Sequence, residues 1–370
     1  MGQHLVLIGG GHAHMETLAN LHRFIDKGHE ATVIQPSEHH YYSGMGPGML
    51  GKTYRPEEIR FATRLVVQKQ GGIFVLGSAT HIDPDEKIVY LASGERIGFD
   101  VLSINAGSYV PQTNIIGAAE NIFSVKPIEK LMEAQKRIIA LISVKQAGVA
   151  IVGGGPSAAE IAGNIWQLAT LQGGNPTGIR ILSGSDFMGG FPDRVRKLAQ
   201  KFLKQRGIEI MENDYVREVS AGQITTASGK IHRADMIFMA LGVKPSPIFE
   251  QSGLPVGPDG GMEVNQYLQC TAYPGIFGGG DCIYFRDQPL DKVGVYAVRQ
   301  NPVLFHNLMA SLEEEDLQAF DPGGNYLLIF NMGGGRGILH KSGFTLDGRL
   351  AFVIKDYIDR KFMKKFQALE

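Results

Sequence analysis

Cysteine is nearly absent: only Cys270 and Cys282 occur in 370 residues. Two are too few for a disulfide framework, and neither belongs to a Cys-x-x-Cys or Cys-x4-Cys pair, so no dithiol motif offers itself for redox exchange. Charge of one sign is missing as well, because 36 Lys and Arg face 37 Asp and Glu and leave a formal net charge of -1. Without a positive field there is nothing to gather phosphates, which argues against nucleic acid as a partner. No stretch approaches the roughly 18 apolar residues that cross a bilayer. The N-terminus runs into the strand-like His4–Ile8 with neither a charged leader nor an apolar signal core, so a cytoplasmic location is expected. No Gly-x-Ser-x-Gly elbow supplies a hydrolase nucleophile. His12, His14, His39 and His40 have no cysteine or carboxylate to complete a ligand set, and no metal is expected.

Glycine is in excess, with 48 residues making about 13% of the chain against an average near 7%. Clusters at Gly9-Gly10-Gly11, Gly153-Gly154-Gly155, Gly278-Gly279-Gly280 and Gly333-Gly334-Gly335 each follow an apolar run, the pattern of turns beside a bound phosphate. The length predicts two domains. An apolar run at His4–Ile8, a helical segment over 13–27 and a β-branched run over 31–34 read as βαβ. The same grammar returns over 148–152, 157–171 and 179–182, offset by 144 residues between Gly9 and Gly153. After the first copy, 72–76 and 87–91 alternate like antiparallel strands, and 101–105 is a buried run ending in Ala106-Gly107. After the second, 208–211, 223–227 and 236–241 follow in the same order and end at Gly242. A strand over 275–277, a helix over 294–312 with a solvated acidic end at 313–316, a strand over 326–330 and a basic amphipathic tail complete the chain.

In Gly9-Gly10-Gly11-His12-Ala13-His14 the first two glycines of the dinucleotide fingerprint stand directly after a strand. The first permits the tight turn and the second lets backbone approach a pyrophosphate on a helix N-terminus. His14 occupies the third position, so it either loosens the packing or turns its ring elsewhere. Gly153-Gly154-Gly155-Pro156-Ser157-Ala158 fits better, with Ala158 as the permitted small residue. Two fingerprints imply two dinucleotides. Where the fold places an acid for the ribose 2'-hydroxyl, the chain has Gln35 and Ser183, so NADH and NADPH are not distinguished.

These two fingerprints, the strand ends at Ala106-Gly107 and Leu241-Gly242, and the late Gly280-Asp281 pair resemble the FAD-dependent pyridine nucleotide-disulfide oxidoreductase superfamily along essentially the whole chain. Gly153 to Glu160 and Val243-Lys244-Pro245 are similar to type II NADH:quinone oxidoreductases. Tyr42-Ser43-Gly44-Met45-Gly46-Pro47-Gly48, Ser124-Val125-Lys126-Pro127, Val295 to Gln300 and Lys355 to Met363 resemble more closely the NADH-dehydrogenase-like flavoproteins fused to selenide, water dikinase.

The resemblance implies an α/β protein of two Rossmann-like, three-layer ββα domains: an FAD domain from 1–118 and 256–325, an NAD(P)H domain over 119–255, and a C-terminal segment over 326–370. It implies FAD beside Gly9, Gly11, His12, Ala13, Gln35, Pro36, Ala79, Ala106, Gly107 and Val295. Gly280 and Asp281 would serve the ribityl or phosphate end, and Ser43, Gly44 and Pro47 would lie beside the isoalloxazine. Gly153, Gly155, Pro156, Ser157, Ser183, Leu241 and Gly242 would hold the nicotinamide nucleotide.

Catalytic candidates are Glu160, facing the nicotinamide or else an ordinary exposed helix carboxylate; Lys126, near the flavin or else plainly solvated; and Gln300 on the quinone side, where Val295 and Arg299 depart from the glutamine-rich pattern. The implied activity is an FAD-dependent NAD(P)H dehydrogenase passing electrons to a small acceptor, foremost a quinone, without a thiol relay. A ferredoxin- or rubredoxin-type reductase and a non-catalytic flavin redox sensor are the alternatives. Cys270 and Cys282 read as small packing residues. Ile354, Ile358, Phe362 and Phe366 recur on one helical face flanked by Lys355, Arg360, Lys361, Lys364 and Lys365, either packing on the FAD domain or giving peripheral membrane contact.

Overall fold

The computed structural model describes residues 2–111, 115–116, 120–173 and 178–370. Its centre is a five-stranded parallel sheet in the order Ile276–Gly278, Val101–Ile104, His4–Ile8, Glu30–Gln35 and Ile73–Leu76. His4–Ile8 is flanked on both sides, and Leu5, Val6 and Leu7 are fully buried, which is why this strand is an unbroken apolar run. A second parallel sheet repeats the plan with Ile122–Ser124, Met236–Met239, Val149–Val152, Ile179–Leu182 and Glu209–Met211. Each is accompanied by an antiparallel three-stranded sheet: Ala79–Asp83, Ile88–Leu91 and Arg96–Gly98 in the first, Val216–Ser220, Gln223–Thr226 and Ile231–Arg233 in the second. The α/β class and its Rossmann-type layers are those the glycine turns imply.

The first sheet takes its strands from 4–104 and from 276–278, across the whole second unit. The expected division between 118 and 119 lies outside the described residues.

Three local expectations are corrected. The segment read as an antiparallel strand over 72–76 is the parallel edge of the first sheet, with Ile73 and Leu76 53% and 54% exposed. The helix expected over 13–27 is broken into a 3-10 turn His12–His14 and two short helices, Met15–Ala19 and His22–Ile25. Asn20 breaks it: its side-chain Nδ2 donates to the Glu16 carbonyl at 2.8 Å while its own amide goes to Thr17. Finally, the Gly333 to Gly335 turn is no phosphate loop. It packs on the Pro156–Leu171 helix, where a Cβ on Gly333 would come 2.2 Å from the Gly163 carbonyl.

That turn belongs to a C-terminal hairpin sheet, Leu328–Asn331, Gly337–Lys341 and Phe344–Gly348, followed by the helix Arg349–Gln367. Phe330, Met332, Ile338, Met363 and Phe366 are buried in the same core as the second sheet, and Phe366 meets Phe61, so this segment packs on both units. Arg206 donates to the carbonyls of Met332 and Gly333 and stacks 4.3 Å from the Trp166 ring centroid. Glu313 is not merely solvated: it accepts from Lys27 at 2.5 Å and meets His29 at 2.7 Å, tying the Gly294–Glu313 helix to the first unit.

Candidate functional site

A cavity of about 550 Å³ opens at the C-terminal ends of the first sheet. Gly9 leaves its strand at φ +86°, and a Cβ there would come 2.3 Å from the Asn105 carbonyl, so only glycine makes this turn. His14, at the third fingerprint position, turns inward: its Nδ1 lies 2.6 Å from the Gly9 carbonyl and its Nε2 2.8 Å from Ser103 Oγ. The ring stitches the turn to the Val101–Ile104 strand instead of loosening it. Gln35, which stands where an acid is usual, accepts the Gly10 amide at 2.9 Å and donates to the Ser37 and His39 carbonyls.

Across the cavity Lys126 Nζ donates to Asp281 Oδ2 at 2.8 Å and to Ser108 Oγ at 2.9 Å, and Ser108 donates to the same carboxylate at 2.7 Å. Burial pushes the Asp281 carboxyl up, but Lys126 and Ser108 outweigh it and hold it below the usual range. Lys126 is therefore no plain solvated lysine.

Glu160, on the Pro156–Leu171 helix, also lines this cavity. It accepts the Asn331 amide at 2.7 Å. Burial pushes its carboxyl up to about 7, against the opposing pull of Lys355 and Asn331. The reading of Glu160 as an ordinary exposed helix carboxylate is thereby corrected. Lys355 is itself buried on the C-terminal helix, donating to the Gly44 carbonyl at 2.8 Å and to Asp359 Oδ2 at 2.6 Å. Tyr42 donates to Asp359 Oδ1 at 3.0 Å.

A second cavity of about 950 Å³ lies over the second sheet. Gly153, at φ +138°, would place a Cβ 2.2 Å from the Ala240 carbonyl, whereas a Cβ on Gly155 would meet nothing within 4 Å. The turn is thus packed behind and open in front, the shape a pyrophosphate on a helix N-terminus needs. Pro156, Ser183, Leu241 and Gly242 share this wall, and Lys126, Ser157 and Lys292 line both cavities, which meet there.

Of the expected flavin-side residues, Gly9, Gly11, His12, Gln35, Pro36, Ser43, Gly44, Pro47, Ala79, Ala106, Gly107, Gly280 and Asp281 line the first cavity. Ala13, Val295 and Gln300 line neither large cavity. Ala13 is buried beneath the turn, and Gln300, 1% exposed, accepts the Gly280 amide at 2.7 Å from within the core. Cys282 is fully buried with its thiol against the Ile104 and Gly279 carbonyls, and burial pushes it up to about 11. Sequence reasoning missed Asn105 and Lys292, which nothing local marks, and it did not read Lys355 and Asp359 as a buried pair although they stand four residues apart on one helix.

The cavity chemistry fits a polar dinucleotide. Asn105 Nδ2, His12 Nε2 and His40 Nε2 are buried without a partner in the protein, and all three residues line the first cavity. Burial lowers His12 to about 4 and His40 to about 3, so both imidazoles are neutral.

Residues 3–307 match the model of the pyridine nucleotide-disulphide oxidoreductase family. The chain belongs to this family. FAD and a nicotinamide nucleotide are accordingly its cofactor and substrate, and it is an FAD-dependent NAD(P)H dehydrogenase. It is 23% identical to a demethylphylloquinone reductase of Synechocystis sp. over 369 residues, 95% of this chain and 90% of that one. It is also 23% identical to the type II NADH:quinone oxidoreductase of Staphylococcus aureus, over 98% of this chain and 95% of the relative. The fold superposes on NDH2 from Plasmodium falciparum, solved with NADH, at a TM-score of 0.82 and 14% identity, covering 100% of this chain and 98% of the other.

Proposed function

We propose that the chain takes hydride from NADH or NADPH in the second cavity and delivers two electrons to a quinone beside the first, with no thiol step. The balance is NAD(P)H plus H⁺ plus quinone giving NAD(P)⁺ plus quinol. FAD, when bound, accepts the hydride and releases the electrons. The residues 1–118 and 256–325 would hold it, 119–255 would hold the nucleotide, and 326–370 would close the acceptor side.

One observation carries the choice of acceptor: Glu160, raised to about 7, lies on the flavin cavity and is backed by buried Lys355. A carboxyl half-protonated near neutral pH can lend a proton and regain it. Quinone reduction requires protons at the acceptor, whereas one-electron transfer to an iron–sulfur protein does not. Lys126 would orient the flavin end at the junction of the two cavities together with Asp281, and the neutral His12 and His40 would offer their free ring nitrogens to it from the wall of the first cavity. The names of the two curated relatives support the same acceptor class.

Among the described residues no helix is long and apolar enough to cross a membrane. The route to a membrane quinone would be the outer face of the C-terminal helix, where Leu350, Val353 and Tyr357 are exposed. The deciding experiment reduces the FAD-loaded protein anaerobically with NADH and then mixes it with a soluble quinone or with a [2Fe–2S] ferredoxin. Rapid reoxidation by the quinone alone is expected, and faster reoxidation by ferredoxin would overturn the reading.

A further inference from the structure

The end of the second cavity remote from the flavin has a charge pattern that the strand-end Ser183 does not reveal. Ser183 is 1% exposed, and its hydroxyl donates to the Ser185 carbonyl at 2.6 Å. It also fills the space beside Gly154, where a Cβ would come 1.9 Å from Ser183 Oγ. This hydroxyl is committed to closing the turn. Three residues further on, Asp186 lines the cavity with its side chain 58% exposed. Its Oδ1 accepts from Asn213 Nδ2 at 3.2 Å and its Oδ2 from Arg196 Nη1 at 3.3 Å. Arg196 is shared with Asp193 at 3.5 Å and does not itself line the cavity, so its charge is met by two carboxylates. The cations that do line the cavity, Lys126 and Lys292, stand at the opposite end where it joins the first. Tyr215, 67% exposed, lies beside Gly184, at which a Cβ would come 2.4 Å from its ring, and offers a flat apolar surface at the same end.

We infer that Asp186 determines nucleotide specificity: it accepts the hydroxyls of the adenosine ribose above the Tyr215 ring, and it repels a 2'-phosphate. The inference rests on the second cavity being the nicotinamide nucleotide site. An ionised carboxylate is an acceptor only, so it suits a diol donating to it and opposes a dianion at the same place. Asn213 and Arg196 fix its orientation and leave lone pairs free toward the cavity. No cation among the described lining residues of that end compensates a phosphate.

The test needs no turnover. ADP-ribose and 2'-phospho-ADP-ribose are titrated calorimetrically into the FAD-loaded full chain, into Asp186→Asn and into Asp186→Ala. The wild type is expected to bind ADP-ribose at least tenfold more tightly, and both variants to bring the ratio within about threefold. Equal binding by the wild type, or a ratio unchanged in both variants, overturns the inference while the nucleotide site stands. Binding of neither ligand to the FAD-loaded wild type overturns the inference and the nucleotide site with it.

Discussion

Lys126 Nζ and Asp281 Oδ2 stand 2.8 Å apart although 155 positions separate them in the chain. The lysine comes from the segment entering the second unit and the aspartate from the turn after the last strand of the first sheet, so one ion pair ties the two cavities together. Their side chains are 26% and 14% exposed, which screens the pair only in part. Lys126→Met should leave the Asp281 carboxylate without its cation and weaken FAD retention about tenfold to a hundredfold. The flavin released from wild type on denaturation should be FAD and not FMN. Equilibrium ultrafiltration of flavin from both proteins checks the first expectation, and chromatography of the released flavin the second.

Glu160 gives a pH signature. Its folded value of about 7 lies above the ordinary carboxyl value of 4.5, so between these pH values the folded state binds more protons than the unfolded one. Stability conferred by the protonated carboxyl is complete below about pH 4.5 and falls as pH rises through about 7, by up to about 3 kcal/mol. Glu160→Gln should flatten that part of the stability profile. In the same variant quinone-driven reoxidation should lose its inflection near pH 7 and fall at least tenfold, while reduction by NADH stays near wild type. Urea melts at several pH values and stopped-flow half-reactions measure the two effects separately.

Much of this site was legible because its demands are local. Gly9 and Gly153 are dictated by carbonyls 2.3 and 2.2 Å from where a Cβ would be, and such turns repeat as sequence motifs. Glu160 was legible as a residue but not by its position, since Asn331, whose amide it accepts, lies 171 positions away. Lys355 was read as basic flank because helical spacing pairs it with Asp359 but does not tell that the pair is buried against Gly44, 311 positions away. The edge strand Ile73–Leu76 misled for a related reason: four apolar residues in a row do not say whether the strand pairs with a sequence neighbour or with Glu30–Gln35, which is its parallel partner here.

The two thiols should be dispensable. Cys270 and Cys282 are free, buried and absent from the walls of both large cavities. Replacing both by Ala should leave anaerobic flavin reduction within about tenfold, or near 1.4 kcal/mol. A loss of several orders of magnitude in a folded, FAD-loaded double variant would require a thiol step.

Gly163 predicts a reversed sign. Inside a helix, alanine is ordinarily better than glycine by about 1 kcal/mol. Here its Cβ would come 2.2 Å from the Met332 carbonyl, where the C-terminal hairpin docks. Gly163→Ala should therefore destabilise the protein by about 2 kcal/mol, with the C-terminal segment becoming sensitive to protease first. A gain in stability would show that the hairpin yields without cost.

The C-terminal helix divides its apolar residues between two tasks. Phe366 is 4% exposed, and Phe362 stacks 5.5 Å from His12 and meets Phe61, so this half of the expected stripe packs inside. Lys355 is buried, Arg360 is paired with Glu58 and Asp356, and Lys365 is paired with Glu16, which removes three of the five expected cations from the flank. What faces outward is mostly another set: Leu350, Val353 and Tyr357 at 59%, 58% and 65% exposure and Phe344 of the neighbouring hairpin at 63%, joined by Ile358 of the expected stripe at 42%. Exposed Lys361 and Lys364 continue the Leu350, Val353 and Tyr357 face at helical spacing. An apolar face ending in lysines suits an anionic bilayer, each lysine adding roughly 1 kcal/mol that salt screens. Liposomes containing anionic lipid should sediment the wild type at low salt and less of it at high salt. The triple variant Leu350→Ser, Val353→Ser and Tyr357→Ser, which leaves the buried Lys355–Asp359 pair behind Gly44 in place, should stay in solution with its flavin bound. Equal sedimentation of both proteins, or of neither, would remove the helix as the membrane contact and leave soluble quinones as the acceptors to test.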